Sequence, residues 1–117
     1  MATDRTKTPL CIRFQKRDLD AVRLAAARDG ELPTVWIREQ TMLRVLQLEQ
    51  DQPVRPLKFR AGGVNGATTV RFRPADYRRV ARAAARDGES PSAWVRAIAI
   101  LAAGPKQQPM AAAVGAN

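Results

Sequence analysis

The stretch Thr69-Val70-Arg71-Phe72-Arg73 decides the fold because it occurs twice. Cys11-Ile12-Arg13-Phe14-Gln15 stands 58 residues earlier, and the residues after each copy are the same sequence written again. Residues 11–38 lie over 69–96 without a gap, and half of the 28 aligned positions are identical. The identities include Arg13 and Arg71, Phe14 and Phe72, Asp18 and Asp76, Trp36 and Trp94, and Arg38 and Arg96. The run Ala25-Ala26-Ala27-Arg28-Asp29-Gly30-Glu31 recurs whole as Ala83-Ala84-Ala85-Arg86-Asp87-Gly88-Glu89. The chain is a tandem duplication.

Within each copy the hydrophobic period changes once. Ile12 and Phe14 alternate with Cys11, Arg13 and Gln15, and Val70 and Phe72 with Thr69, Arg71 and Arg73, as in a half-buried strand. Leu19, Val22, Ala25 and Ala26, matched by Tyr77, Val80, Ala83 and Ala84, then recur at helical spacing and predict first helices over residues 17–28 and 75–86. Pro74 suits the first helical position, Asp18 and Asp76 suit the positive end of the dipole, and Gly30 and Gly88 supply the left-handed residue that ends a helix. A second helix starts at Ser90-Pro91-Ser92, with Ser90 as cap. The first copy has Leu32 where Ser90 stands, so that helix start is expected to be the weaker one. Trp36 and Trp94, each at helical spacing from other apolar residues, are expected in the core.

Neither repeat, at about 35 residues, buries a self-sufficient core. The two are therefore expected to pair as one domain, mainly α with one short antiparallel two-stranded ribbon, in the order β-α-α, linker, β-α-α. The layout read from composition is a flexible basic arm over 1–9, repeats over 10–49 and 69–103, a linker over 50–68 and a disordered tail over 104–117. Inside the linker, Leu57-Lys58-Phe59-Arg60 alternates as a strand does, so an extra strand or an element laid against the sheet are both open.

Charge narrows the partners. Twenty Lys and Arg against 11 Asp and Glu give a formal charge of +9 and a pI near 11.2, a field suited to a polyanion. Nucleic acid is the first candidate and an anionic membrane surface the second. The membrane is disfavoured, since no run nears the roughly 18 apolar residues of a spanning helix and the start lacks the apolar core of a signal peptide. A cytoplasmic protein is expected by default. With no histidine and a single cysteine, Cys11, the commonest general base, the commonest metal ligand and an internal disulfide are all missing. No enzymatic activity and no cofactor or metal are expected.

Strand, helix, turn, helix, found twice, resembles the ribbon-helix-helix family of the MetJ/Arc type over roughly residues 10–47 and 68–104. The most specific piece is Asp87-Gly88-Glu89-Ser90-Pro91-Ser92-Ala93-Trp94-Val95-Arg96, similar to the family's junction between its two helices. The resemblance implies an intramolecular ribbon-helix-helix pseudo-dimer whose ribbon enters the DNA major groove and reads bases with its outward residues. Here those are Cys11, Arg13 and Gln15 from one copy and Thr69, Arg71 and Arg73 from the other. It also implies phosphate contacts at the second-helix starts, through Ser90, Ser92 and Thr34, with Arg5 and Lys7 of the arm adding more. Arg28, Arg86, Arg38 and Arg96 are further candidates, for phosphates or for helix-surface ion pairs.

The implied partner is double-stranded DNA, with a second copy on adjacent DNA where family members associate. Two roles are implied by the resemblance: a transcriptional repressor, or a relaxosome or transfer-origin accessory factor beside a relaxase, since fused tandem chains resemble TraY-type conjugation proteins. From another class, a protein-binding module of antitoxin or inhibitor type would turn the basic surface to an acidic partner.

Overall fold

Period-two alternation becomes two paired strands. In the computed structural model, which describes residues 7–64 and 66–104, β1 (Thr8–Phe14) and β2 (Gly66–Phe72) form an antiparallel ribbon. The helices are α1 (Lys16–Arg28), α2 (Pro33–Glu49), α3 (Pro74–Arg86) and α4 (Pro91–Ala103). The ribbon's inner face, Leu10, Ile12, Phe14, Val70 and Phe72, is buried against them. Trp36, Ile37 and Val45 of α2 and Trp94, Val95 and Ile98 of α4 complete the same cluster, so both tryptophans are core residues. Each indole N–H donates to the aspartate that ends the preceding helix: Trp36 to Asp29 at 2.8 Å and Trp94 to Asp87 at 2.9 Å. A buried indole thus finds the acceptor it needs without leaving the core.

Both first helices end as the Asp-Gly pairs predict. Gly30 and Gly88 take φ of 71°, and the amides beyond them close the turn, Glu31 onto Ala26 and Glu89 onto Ala84. Ser90 caps α4, accepting from the Ala93 amide at 3.2 Å, whereas Leu32 gives α2 no side-chain cap.

The strands begin earlier than alternation alone indicates. β1 takes in Thr8 and Pro9 from the expected arm, and β2 takes in Gly66, Ala67 and Thr68 from the expected linker. The physical reason lies in the ladder's phase. The carbonyls of Cys11, Arg13 and Arg71 accept from helix side chains, so these residues turn their backbone groups away from the partner strand, as non-hydrogen-bonded pairs do. Pro9 shares that phase, and its missing N–H removes no ladder bond. The strands also end one residue sooner: Gln15 and Arg73 are the N-cap residues of α1 and α3.

Residues 52–63 form no strand, so Leu57–Arg60 is not an extra one. They run as a strap whose end, Gly62 and Gly63, lies against β1, while its Arg55 carbonyl accepts from Arg44 of α2. Its glycines are needed there: a Cβ on Gly62 would overlap the Arg13 carbonyl, and one on Gly63 would lie 2.7 Å from the Phe14 carbonyl oxygen. Arg60 reaches Asp18 at 3.4 Å, and Gln15 donates to the Ala61 carbonyl at 3.2 Å. Residues 1–6, with Arg5, and the tail from 105 onward lie outside the described residues.

Candidate nucleic-acid interface

The pairing register places Cys11 opposite Thr69, its own counterpart in the repeat. These two residues therefore form the central pair of the ribbon's outward face. Pro9 lies opposite Arg71 and Arg13 opposite Ala67, so the two arginines stand two residues from the Cys11–Thr69 pair on either side. All six of these side chains are exposed. At about 3.4 Å of strand per residue, Arg13 and Arg71 are about 14 Å apart along the ribbon.

Helix side chains fix the ribbon's edges in crossed fashion. Ser92, at the start of α4, donates its hydroxyl to the Cys11 carbonyl at 2.9 Å. Arg96, one turn on, reaches the Arg13 carbonyl at 3.4 Å and the strap's Arg60 carbonyl at 2.9 Å. On the other edge Arg38 of α2 donates to the Arg71 carbonyl at 3.2 Å. Each strand is thus held by the second helix of the other repeat, and both helix starts are brought to the flanks of the ribbon. Sequence reasoning offered Arg38 and Arg96 for phosphates or ion pairs and missed this backbone role. The signal that could have found it was their shared offset with Arg13 and Arg71, which makes one backbone contact into two. Ser92, expected at a phosphate, is half-buried and spends its hydroxyl proton on the ribbon. Thr34 is half-buried at the start of α2.

The two ends of the ribbon differ. Beyond β2, Lys7, Arg38, Arg71 and Arg73 line one concavity of about 290 Å³, together with Asp76 and Glu39. Four cations against two carboxylates give it a positive character. At the corresponding end of β1 the counterpart of Arg73 is Gln15, half-buried and tied to the strap. The basic residues expected from sequence are therefore brought together on one side: Lys7, Arg71 and Arg73 form a cluster, Arg13 stands across the ribbon, and Cys11 and Thr69 lie between. Ser92 flanks β1, and Ser90 caps α4 two residues before it.

Among the described residues no three His, Cys, Asp or Glu side chains are grouped as a metal would need, and no helix is long and apolar enough to cross a membrane. Comparison with protein-family models, with curated proteins and with solved structures returns no match to this chain.

Proposed function

We propose that the chain is a tandem ribbon-helix-helix protein that binds double-stranded DNA as an intramolecular pseudo-dimer, with its ribbon in the major groove. The observation that carries this reading is the pairing of Cys11 with Thr69, which sets Arg13 and Arg71 symmetrically on an exposed two-stranded face. A two-stranded ribbon fits the major groove, and arginine bonds guanine O6 and N7 together. A separation of about 14 Å corresponds to about four base pairs at 3.4 Å each. The positive cluster of Lys7, Arg38, Arg71 and Arg73 and the helix starts beside the ribbon supply the neighbouring phosphate contacts.

The two strands are unequal readers, Cys/Arg/Gln against Thr/Arg/Arg. The favoured site is accordingly a short asymmetric element with one guanine contact in each half. Either a repressor or a transfer-origin accessory factor working beside a relaxase would use such a site in the bacterial cytoplasm or nucleoid. A genomic neighbour encoding a relaxase, or an operator over the protein's own promoter, decides between them.

A mobility shift with duplex DNA at two salt concentrations, followed by selection of sites from random DNA, tests the reading. Affinity that falls steeply with salt and differs between sequences is expected. No binding at low salt rejects it in favour of an acidic protein partner, and selected sites that are perfect palindromes reject the unequal reading.

A further inference from the structure

A second concavity, of about 300 Å³, opens between α2 and α4, further along both helices than the residues that meet the ribbon. Its walls include three pairs matched at the repeat offset: Gln40 with Ile98, Leu43 with Leu101, and Arg44 with Ala102. The cavity therefore lies between matched positions of the two repeats. Its two halves have diverged in chemistry. The α2 side carries an amide and a guanidinium where the α4 side carries aliphatic groups, and Arg55 of the strap joins the cationic side.

That cationic side is incomplete. Arg44 Nη2 donates to the Arg55 carbonyl at 2.5 Å, but Arg44 Nε and Arg55 Nη1 are buried with no hydrogen-bond partner among the described residues. Neither guanidinium forms an ion pair among those residues. Burial pushes the Arg44 pKa down, against a smaller opposing effect of Asp87, as expected of a cation without an adjacent counter-ion. Buried N–H donors on a charged group call for an acceptor, and the acceptor that matches the planar guanidinium fork is an anion such as a carboxylate.

We propose that this cavity binds a small amphiphilic carboxylate, held by Arg44 and Arg55 at its charged end and by Leu43, Ile98 and Ala102 along its apolar body. The concavity is open to solvent on one side, with Leu43 half-exposed at its rim, and its volume is at the lower end of the range for small-molecule sites. A homodimer of one repeat would repeat the arginine on both sides of the cavity. The fused chain provides one charged end and one apolar end, the shape of an amphiphile's own asymmetry. A bound carboxylate supplies the acceptor that the two orphan N–H groups lack.

The test is calorimetric titration of the full chain with octanoate and, separately, with 1-octanol, without DNA. Saturable binding of one octanoate per chain is expected, about tenfold or more tighter than 1-octanol. Arg44→Gln is expected to weaken octanoate by a similar factor and leave 1-octanol unchanged. Ala102→Leu, which fills the apolar half, weakens both. Arg55→Gln, outside every helix, gives the same readout as Arg44→Gln where that variant does not fold. The proposal is overturned if octanoate does not saturate, if 1-octanol binds as well, or if a folded arginine variant binds octanoate unchanged. Because DNA is absent from the titration, its outcome is independent of the DNA-binding reading.

Discussion

Arg71→Ala separates a base-reading arginine from a solvated charge. Arg71 is exposed, and no described side chain pairs with its guanidinium, while its carbonyl is held by Arg38 at 3.2 Å. Truncation therefore leaves the strand anchored, and its effect on stability should stay within about 0.5 kcal/mol. Loss of a bidentate guanine contact costs about 1–3 kcal/mol of discrimination, equivalent to about 5- to 150-fold in affinity for the preferred site. Arg13 stands about 14 Å away along the ribbon, far enough for the two losses to add within about 0.5 kcal/mol in Arg13→Ala/Arg71→Ala. Fluorescence anisotropy with the selected site and an unrelated duplex, at fixed salt, measures both quantities. A thermal melt followed by circular dichroism checks the fold. If Arg71→Ala weakens both duplexes equally, the residue contacts phosphate or nothing, and the reasoning from the outward face fails. If the double variant loses no more than either single one, the arginines do not read separate base pairs.

Leu32→Ser gives α2 the cap that Ser90 gives α4, at an exposed position, and is expected to stabilise by about 1 kcal/mol, seen as a rise of roughly 4–8 °C in Tm. An unchanged or lower Tm would show that Leu32 has a packing role hidden by its exposure. Gly62→Ala pushes the strap off β1, because its Cβ would overlap the Arg13 carbonyl, and should cost about 1–3 kcal/mol in a denaturant titration. A stability equal to wild type would mean that the strap is not seated on the ribbon. Glu49, accepting from Arg79 at 2.6 and 2.9 Å, is held below its ordinary 4.5, so its contribution is full above that value and is lost as pH falls below it. The Tm gap between wild type and Glu49→Gln should accordingly narrow between pH 7 and pH 3, and a gap that is constant or widens contradicts the pairing.

The sequence carried the frame of this fold because duplication doubles every local signal. Gly30 and Gly88 marked two helix ends, Ser90 marked a cap that Leu32 lacks, and Trp36 and Trp94 marked the core; all of these readings hold. Strand starts were less legible. Pro9 fell in the expected arm over residues 1–9, and only the register turns its missing N–H outward. Gln15 and Arg73 alternate correctly with the strand yet cap helices, since alternation does not say where the chain turns. Arg38 and Arg96 were beyond reach for a different reason: a surface arginine bonding a carbonyl of another strand leaves no local pattern, and only the comparison of the two repeats hints at it. The strap's path was half-legible, because Gly62 and Gly63 look like linker flexibility in sequence and prove to be close backbone approaches in space. The basic concavity at one end of the ribbon needed Lys7, Arg38, Arg71 and Arg73 from three separated segments.

The chain's only cysteine allows the most direct test of the account. Cys11 is exposed, lies on the outward face and pairs with Thr69 at the middle of the ribbon. A ribbon in the major groove covers it at the centre of the contact. The measurement is the rate of Cys11 alkylation by a maleimide, free and with the preferred duplex present at saturation. Alkylation is expected to slow by about tenfold or more on specific DNA, with the protection lost as salt releases the complex. A duplex that is bound, as a mobility shift shows, while Cys11 reacts at its free rate would contradict the ribbon as the reading element.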